Sequence, residues 1–255
     1  MVKKRNKKGQ VSLWVIISVV LVAAVLLFFF LEQGPIGVAE AKFGPEQYIQ
    51  KCVAPSIEEI VGKILPQGGF LNPKSFKVYN KTNVAYLCKT EGYYSRCVNI
   101  HPMLINEIRG EIKEFISPVV ENCFKSMKNE LEKKGQIFKN QTTNFSVSLA
   151  PGKVLVEIDK EIEITEKETT RTFEEFDVEI ANPIYELSTL AMNIADHERK
   201  YCYFEYVGYM AVDRDVEISK FAMSDSTKIY TLKDRKFGKI MNIAIRGCAI
   251  PPGGL

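Results

Sequence analysis

Histidine is nearly missing from this 255-residue chain, which carries only His101 and His197. Acid–base chemistry and metal ligation that lean on imidazole therefore have two candidates at most. His101 precedes Pro102 at an expected helix start. His197 lies in Asp196-His-Glu-Arg199 at an expected helix end, where a cation suits the helix dipole. Both read as structural or solvated. The cysteines lack CxxC spacing, so no zinc framework is written among them. A GxSxG elbow, an HExxH pair, a phosphate loop and a dinucleotide glycine pattern are also missing, and the expectation is a protein that is not an enzyme. There is no long internal repeat and no low-complexity tract.

Charge is absent from Val11 through Leu31, which read VSLWVIISVVLVAAVLLFFFL. As a helix these 21 residues span roughly 31 Å, against a hydrocarbon core of about 30 Å. Inside lipid a continuous helix satisfies its own backbone, so a transmembrane helix over 11–31 is expected. Lys3, Lys4, Arg5, Lys7 and Lys8 precede the run and Glu32 is the first charge after it. The basic segment 1–10 should thus stay cytoplasmic, and the C-terminal domain should lie outside the cell membrane as the bulk of a single-pass protein. Of the 34 Lys and Arg, those five sit before the run, leaving 29 against 31 Asp and Glu, about −2. The sequence pI near 8.4 therefore reflects the basic tail and gives no reason to expect nucleic acid.

All six cysteines, Cys52, Cys88, Cys97, Cys123, Cys202 and Cys248, follow the apolar run. An even number on the expected outer side suits disulfides. Six cysteines allow 15 pairings, so only local structure guides the choice. Cys88 and Cys97 bracket a short loop holding Gly92. Cys52 and Cys123 fall on the apolar faces of two expected helices, which leaves Cys202 with Cys248. Six buried thiols in a reducing compartment are the competing reading. The sequons at Asn80, Asn140 and Asn144 all fall in stretches that read as turns or loops, and they fit surface exposure.

Residues 32–45 form a linker with Gly34, Pro35, Gly37, Gly44 and Pro45. A helix-rich part is expected over 46–134. It holds a helix from Glu46 to Leu65 that Pro55 kinks or restarts, strands at Phe76–Tyr79 and Val84–Cys88 around the turn Asn80–Asn83, and a helix from Met103 to Lys134 interrupted near Pro118. A strand-rich part follows over 135–250. Its hairpin pairs Val154–Ile164 with Phe173–Ile180, a helix covers Pro183–Lys200 with Asn182 as cap, and strands lie within Val212–Phe221, Lys228–Leu232 and Ile240–Ile245. Residues 251–255 form a loose tail. The fold class is α+β, antiparallel sheet with packed helices, as one domain or as two divided between Gly135 and Thr143.

In the long hairpin Glu157, Asp159, Glu161 and Glu163 alternate with apolar residues and stand about 6.5 to 7 Å apart, and Glu175, Asp177 and Glu179 line up beside them. Such rows repel. Calcium would offset the repulsion through carboxylate oxygens, and so would nearby Lys, salt and water. Solvation is the favoured reading, a weak metal site at Glu157, Asp159, Glu161, Glu175 and Asp177 the alternative; no other cofactor is expected. Eight tyrosines, Tyr79, Tyr86, Tyr93, Tyr94, Tyr201, Tyr203, Tyr206 and Tyr209, suggest a ligand platform, but strand propensity accounts for them more simply.

Lys7-Lys8-Gly9-Gln10-Val11-Ser12 ahead of the apolar run resembles the class III (type IV pilin-like) signal peptide of archaea. The resemblance covers about the first 31 residues. It implies a prepilin peptidase-like enzyme cutting between Gly9 and Gln10, and a retained helix that serves as anchor or filament core. Pilins of this kind carry a glutamate four residues after that glutamine, whereas this chain has Trp14, a departure from the filament-forming pattern. The layout of early cysteine-bearing helix, Gln-Gly-Gly turn and later strands is also similar to class III signal-containing membrane proteins of small-genome archaea. From these readings the expectation is a non-catalytic, disulfide-stabilised cell-surface module, pilin-like or envelope-interacting. Its partners would be the lipid bilayer, the peptidase, and other envelope proteins or its own copies. The alternative is an anchored enzyme or a solute- or metal-binding domain using the acidic strand face.

Overall fold

A computed structural model gives the fold, and the residues it describes are 18–23, 25, 44–92, 95–140 and 143–248. The chain divides into two compact units, Met1–Gly44 and Pro45–Leu255. In the first, residues 18–23 and 25 are helical, and Val19, Val20, Leu21, Val22 and Val25 are exposed. Among the described residues no helix is long and apolar enough to cross a membrane. Most of the expected span 11–31, the basic segment, Gly9 and Gln10, nearly all of the linker and the tail 251–255 lie outside the described residues.

The second unit is α+β. Helix α1 covers Pro45–Ile64, with Pro45 in the first turn where its missing N–H costs nothing. It buries Ile49, Val53, Ile57, Ile60, Val61 and Ile64 at helical spacing. Helix α2 covers Leu104–Lys133 and buries Leu104, Ile108, Ile112, Ile116, Val120, Cys123, Phe124 and Met127. Neither breaks at its proline, which corrects the interruption expected near Pro118 and a restart at Pro55. Pro55 and Pro118 are exposed, as are Lys51 and Glu114 four residues earlier, so each proline sits on the solvent side of its helix, where its missing N–H costs least. Leu65–Gln67 then form a 3-10 turn, ended by Gly68 and Gly69 at φ 81° and 99°. A Cβ on Gly69 would lie 2.7 Å from the Ile108 side chain, so this close approach of the turn to α2 needs glycine.

One sheet takes strands from both halves of the unit. β1 (Phe76–Tyr79) and β2 (Thr82–Lys89) form a hairpin whose turn is Asn80-Lys81, both at positive φ, two residues rather than the expected four. β3 (Val98–Asn99) pairs with the end of β2. At the other end of the chain β8 (Val216–Ala222), β9 (Thr227–Asp234) and β10 (Ile240–Arg246) form an antiparallel meander. The two groups meet where β10 runs parallel to β2, so the order is β1-β2-β10-β9-β8 and the sheet is mixed rather than wholly antiparallel. It curls: Tyr79 of β1 and Phe221 of β8, its outermost strands, bring their rings to 5.8 Å, and Lys77 pairs with Asp225 at 2.5 Å. Inside the curl Val84, Tyr86, Ile229 and Ala244 make a small second core.

The other sheet is built on β6 (Lys153–Glu166), with β7 (Thr169–Ala181) along one edge and β4 (Ile137–Asn140) then β5 (Asn144–Ala150) end to end along the other. β6 and β7 extend the expected hairpin at both ends. β4 and β5 replace the loop expected there, which moves Asn140 and Asn144 from loops onto strand ends. The open edge of β7 is capped by α1. The Gln50 side chain donates to the Glu179 carbonyl at 3.0 Å and accepts from the Glu179 N–H at 3.2 Å, as a neighbouring strand would. α3 (Ile184–Tyr201) follows; its N-cap is Pro183, one residue later than the expected Asn182, and the Asn182 Oδ1 accepts from the Ile184 N–H at 3.1 Å just ahead of it. α3 touches strands of both sheets. α4 (Tyr206–Val212) lies ahead of the strand expected within Val212–Phe221 and meets it only at Val212.

The disulfides are Cys52–Cys123, Cys88–Cys97 and Cys202–Cys248, the three pairs set out from the sequence, with Cα separations of 5.9, 5.3 and 5.5 Å. The first joins α1 to α2. The other two lie together where β2 and β10 end. The Cys248 N–H donates to the Ser95 carbonyl at 3.0 Å, and a Cβ on Gly247 would stand 2.9 Å from the Cys97 Cβ. By loop-closure entropy, removing the 71-residue link Cys52–Cys123 with a serine pair is predicted to cost about 4 kcal/mol, and removing the nine-residue link Cys88–Cys97 about 2.5 kcal/mol. Denaturant unfolding of the two double variants checks the order.

Candidate functional site

Two surfaces of the second unit carry unusual chemistry. The first is the outer face of the four-stranded sheet. Even-numbered residues of β6 point inward, so Glu157, Asp159, Glu161 and Glu163 point out. The register sets Glu157 opposite Asp177 and Asp159 opposite Glu175, acid against acid across the strands. Basic residues answer at the ends of the row. Lys153 reaches Glu179 at 2.8 Å, Lys139 reaches Glu163 at 3.7 Å, and Ser146 Oγ donates to Glu157 at 3.1 Å. Among the described residues no three His, Cys, Asp or Glu side chains are grouped so as to hold a metal ion. Two grooves, one between α1 and α2 and one beside α4, are lined by neither Glu157, Asp159 nor Glu175.

Lys160 is the residue that the alternating pattern hides. It occupies an inward position of β6 between Ile158 and Ile162, at the bulge where Lys160 and Glu161 together stand against Glu174 of β7. Only 6 % of its surface is exposed. Its ammonium sits 4.9 Å from the centre of the Phe124 ring and donates to Thr143 Oγ1. Even-number phase along β6 is the signal that finds it.

The second surface is the corner between α3 and α4. α3 ends at Cys202, in the left-handed conformation. Beneath it the buried Glu198 carboxylate meets Lys228 Nζ at 2.5 Å and accepts from the Tyr230 hydroxyl, and Lys228 also donates to the Cys202 carbonyl at 2.8 Å. Burial first, and then the Glu198 charge, hold the Tyr230 hydroxyl far above its ordinary pKa. Phe204, buried, touches the rings of His197, Tyr209 and Tyr230 at 5.5, 5.7 and 6.4 Å. Glu205 caps α4, accepting from the Gly208 N–H at 3.2 Å and from the Tyr203 hydroxyl at 2.6 Å. That hydroxyl bond holds the Glu205 pKa below the carboxylate norm and raises that of Tyr203. Lys220 stands over the Tyr203 and Tyr206 rings, 4.9 and 5.1 Å from their centres. A groove of about 470 Å³ runs along α4, lined by Asn193, His197, Phe204, Tyr209 and Asp213 among others.

Four of the eight tyrosines thus gather at helix ends and in a connecting loop, which corrects the strand explanation for Tyr201, Tyr203, Tyr206 and Tyr209. Tyr79 and Tyr86 do lie on strands, and Tyr93 and Tyr94 fall outside the described residues. His101 is held by Glu107, whose carboxylate lies 2.6 Å from Nδ1, and its backbone N–H donates to Asn99. His197 makes ring contacts with Tyr201 and Phe204. Among the described residues no nucleophile, base and orienting group converge around either histidine. Asn80 and Asn144 are exposed.

Fold and surfaces together define a disulfide-bonded α+β domain with a mixed curled sheet and an antiparallel acid-faced one. No protein family, curated protein or solved structure matches the chain.

The acid rows generate one prediction. Asp177→Lys, placed opposite Glu157, should raise Tm by about 2–4 °C in dilute buffer. The gain should fade in molar salt, where the Debye length is only about 3 Å. Thermal melts at two salt concentrations check it. A second follows from Lys160, whose pKa burial lowers while Glu121 restores part of the shift. As pH rises the folded chain gives up this proton first. Between the lowered value and the ordinary ~10.4 the unfolded chain holds more protons, so stability climbs with pH. Lys160→Met should flatten that alkaline climb without lowering stability at neutral pH, since an apolar side chain replaces a buried charge. Urea unfolding from neutral pH to beyond the ordinary lysine pKa reads both effects.

Proposed function

We propose that the chain is a membrane-anchored, non-catalytic cell-surface module whose disulfide-bonded domain is held outside the cell by the apolar helix 11–31. The observation that carries this reading is the set of three disulfides, with no free cysteine among the described residues, all downstream of a 21-residue uncharged run. Disulfides of this kind persist in oxidising compartments, and the five cations before the run orient its start toward the cytoplasm. In this reading a prepilin peptidase-like enzyme cuts between Gly9 and Gln10 and leaves the helix as an anchor. Trp14, where filament-forming pilins have glutamate, favours a simple anchor over a filament core. The exposed Asn80 and Asn144 sequons are then available for glycosylation. The alternative of an anchored enzyme or solute-binding domain draws no support from the acidic carboxylates, which line an open sheet face rather than a cavity.

Intact mass of the protein extracted from membranes tests the reading. The expected mass lacks the first nine residues and rises by about six units on reduction, one per cysteine. Retention of Met1 together with six free thiols, or release of the chain from membranes by alkaline carbonate, would contradict it.

A further inference from the structure

α4 is an unusual helix for a protein surface. Its seven residues, Tyr-Val-Gly-Tyr-Met-Ala-Val, include no charge, and none of them is buried. A surface helix ordinarily turns an apolar stripe inward and a polar face outward. Here the outward side is itself apolar: Val212 is 90 % exposed and Val207 59 %. Tyr201 and Tyr203, 69 % and 47 % exposed, stand next to it. Apolar side chains fringed by tyrosines are the pattern of the bilayer interface, where the ring sits among the headgroups and the hydroxyl stays wet. A contiguous apolar patch of this kind marks a contact surface.

We infer that α4 and the tyrosines before it form a lipid-contacting face, bedding into the headgroup layer of the bilayer that anchors the chain. The inference rests on the anchored reading proposed above. If 11–31 spans the membrane, only residues 32–44 separate it from α1, and 13 residues reach at most about 45 Å. So short a tether keeps the bilayer at high effective concentration beside the domain. Charge decides the kind of lipid contact. Glu205 and Asp213 flank α4 at its two ends, so the face is not a basic patch seeking anionic lipid. Cations stand nearby too, Lys220 over the Tyr203 and Tyr206 rings and the exposed Arg214 between Asp213 and Asp215 in the chain, so acids and bases are mixed around the face. Binding should therefore come from apolar and tyrosine burial, and it should be insensitive to salt.

The described cysteines are all paired, so one added thiol can be labelled alone. The full chain carrying Val212→Cys, modified with an environment-sensitive fluorophore, is reconstituted into phosphatidylcholine vesicles. Asp177→Cys on the acidic face serves as control. The expected result is blue-shifted emission at 212, lost to a quencher carried on the lipid near its headgroup and spared by aqueous iodide, with the reverse at 177. Iodide quenching at 212 equal to that at 177 overturns the inference while the anchor stands, provided the vesicles still float with the protein after carbonate washing. A probe at 212 shielded from both quenchers also overturns it, because a protein surface, such as a second copy, then covers α4. Loss of the protein from the floated vesicles sinks the anchored reading and this inference together.

Discussion

The parallel pairing of β2 with β10 is the constraint on which the rest of the second unit depends. It sets Tyr86, Cys88 and Lys89 beside Ala244, Ile245 and Arg246, so that nearly everything between them in the chain must fold as one closed excursion. Pairing across such a separation is entropically expensive, and parallel ladders are somewhat weaker per residue than antiparallel ones. Covalent bonds offset the weakness at that place. Cys88–Cys97 ties the end of β2 to the loop beyond it, and Cys202–Cys248 ties the continuation of β10 to the end of α3. The Thr90 N–H adds a backbone bond to the Arg246 carbonyl at 2.9 Å. Oxidised cysteines are thus built into the junction where β2 meets β10.

From that junction the two sheets take different tasks. The mixed sheet buries both faces, one against the main core and the other within its own curl around Tyr86 and Ile229. The antiparallel sheet buries one face, through Val154, Val156, Ile158, Phe176 and Val178, against the helices and turns carboxylates outward from the other. Charge on that outer face opposes sheet-on-sheet association, and Gln50 closes part of the β7 edge, so the longest strands of the protein are kept from pairing with other chains. The uncharged corner at α4 has the opposite character. Under the proposed reading both kinds of surface suit a domain beside a membrane: one stays solvated while the other is available for contact.

Much of this was legible in the sequence because it depends on local period. The stripes of α1 and α2, the alternation of β6 and β7 and the Gln67-Gly68-Gly69 stop all express a repeat or a turn residue readable within a few positions. The disulfide pairs followed from placing cysteines on those elements. What stayed hidden depends on partners far away in the chain. Nothing near Tyr86 announces a parallel neighbour at Ala244. Nothing near Pro55 or Pro118 announces that packing carries a helix past a proline. β4 and β5 are short and rely on β6 for their pairing, and α4 is too short for its helical period to stand out from an apolar run. Lys160 stays hidden because a charged residue in an apolar phase reads as an exception, although its phase is inward.

The fold of the second unit rests on oxidised cysteines, and under the proposed reading these place it on the outer side of a membrane. Amide hydrogen exchange, followed in the oxidised protein and again after full reduction, reads that dependence strand by strand. Residues 86–89 and 244–246 should be among the slowest to exchange when oxidised. On reduction they should lose protection before the β6–β7 hairpin does, since the hairpin has a local turn and no disulfide. Protection of β2 and β10 that survives reduction unchanged, or loss that begins in β6 and β7, would contradict the account.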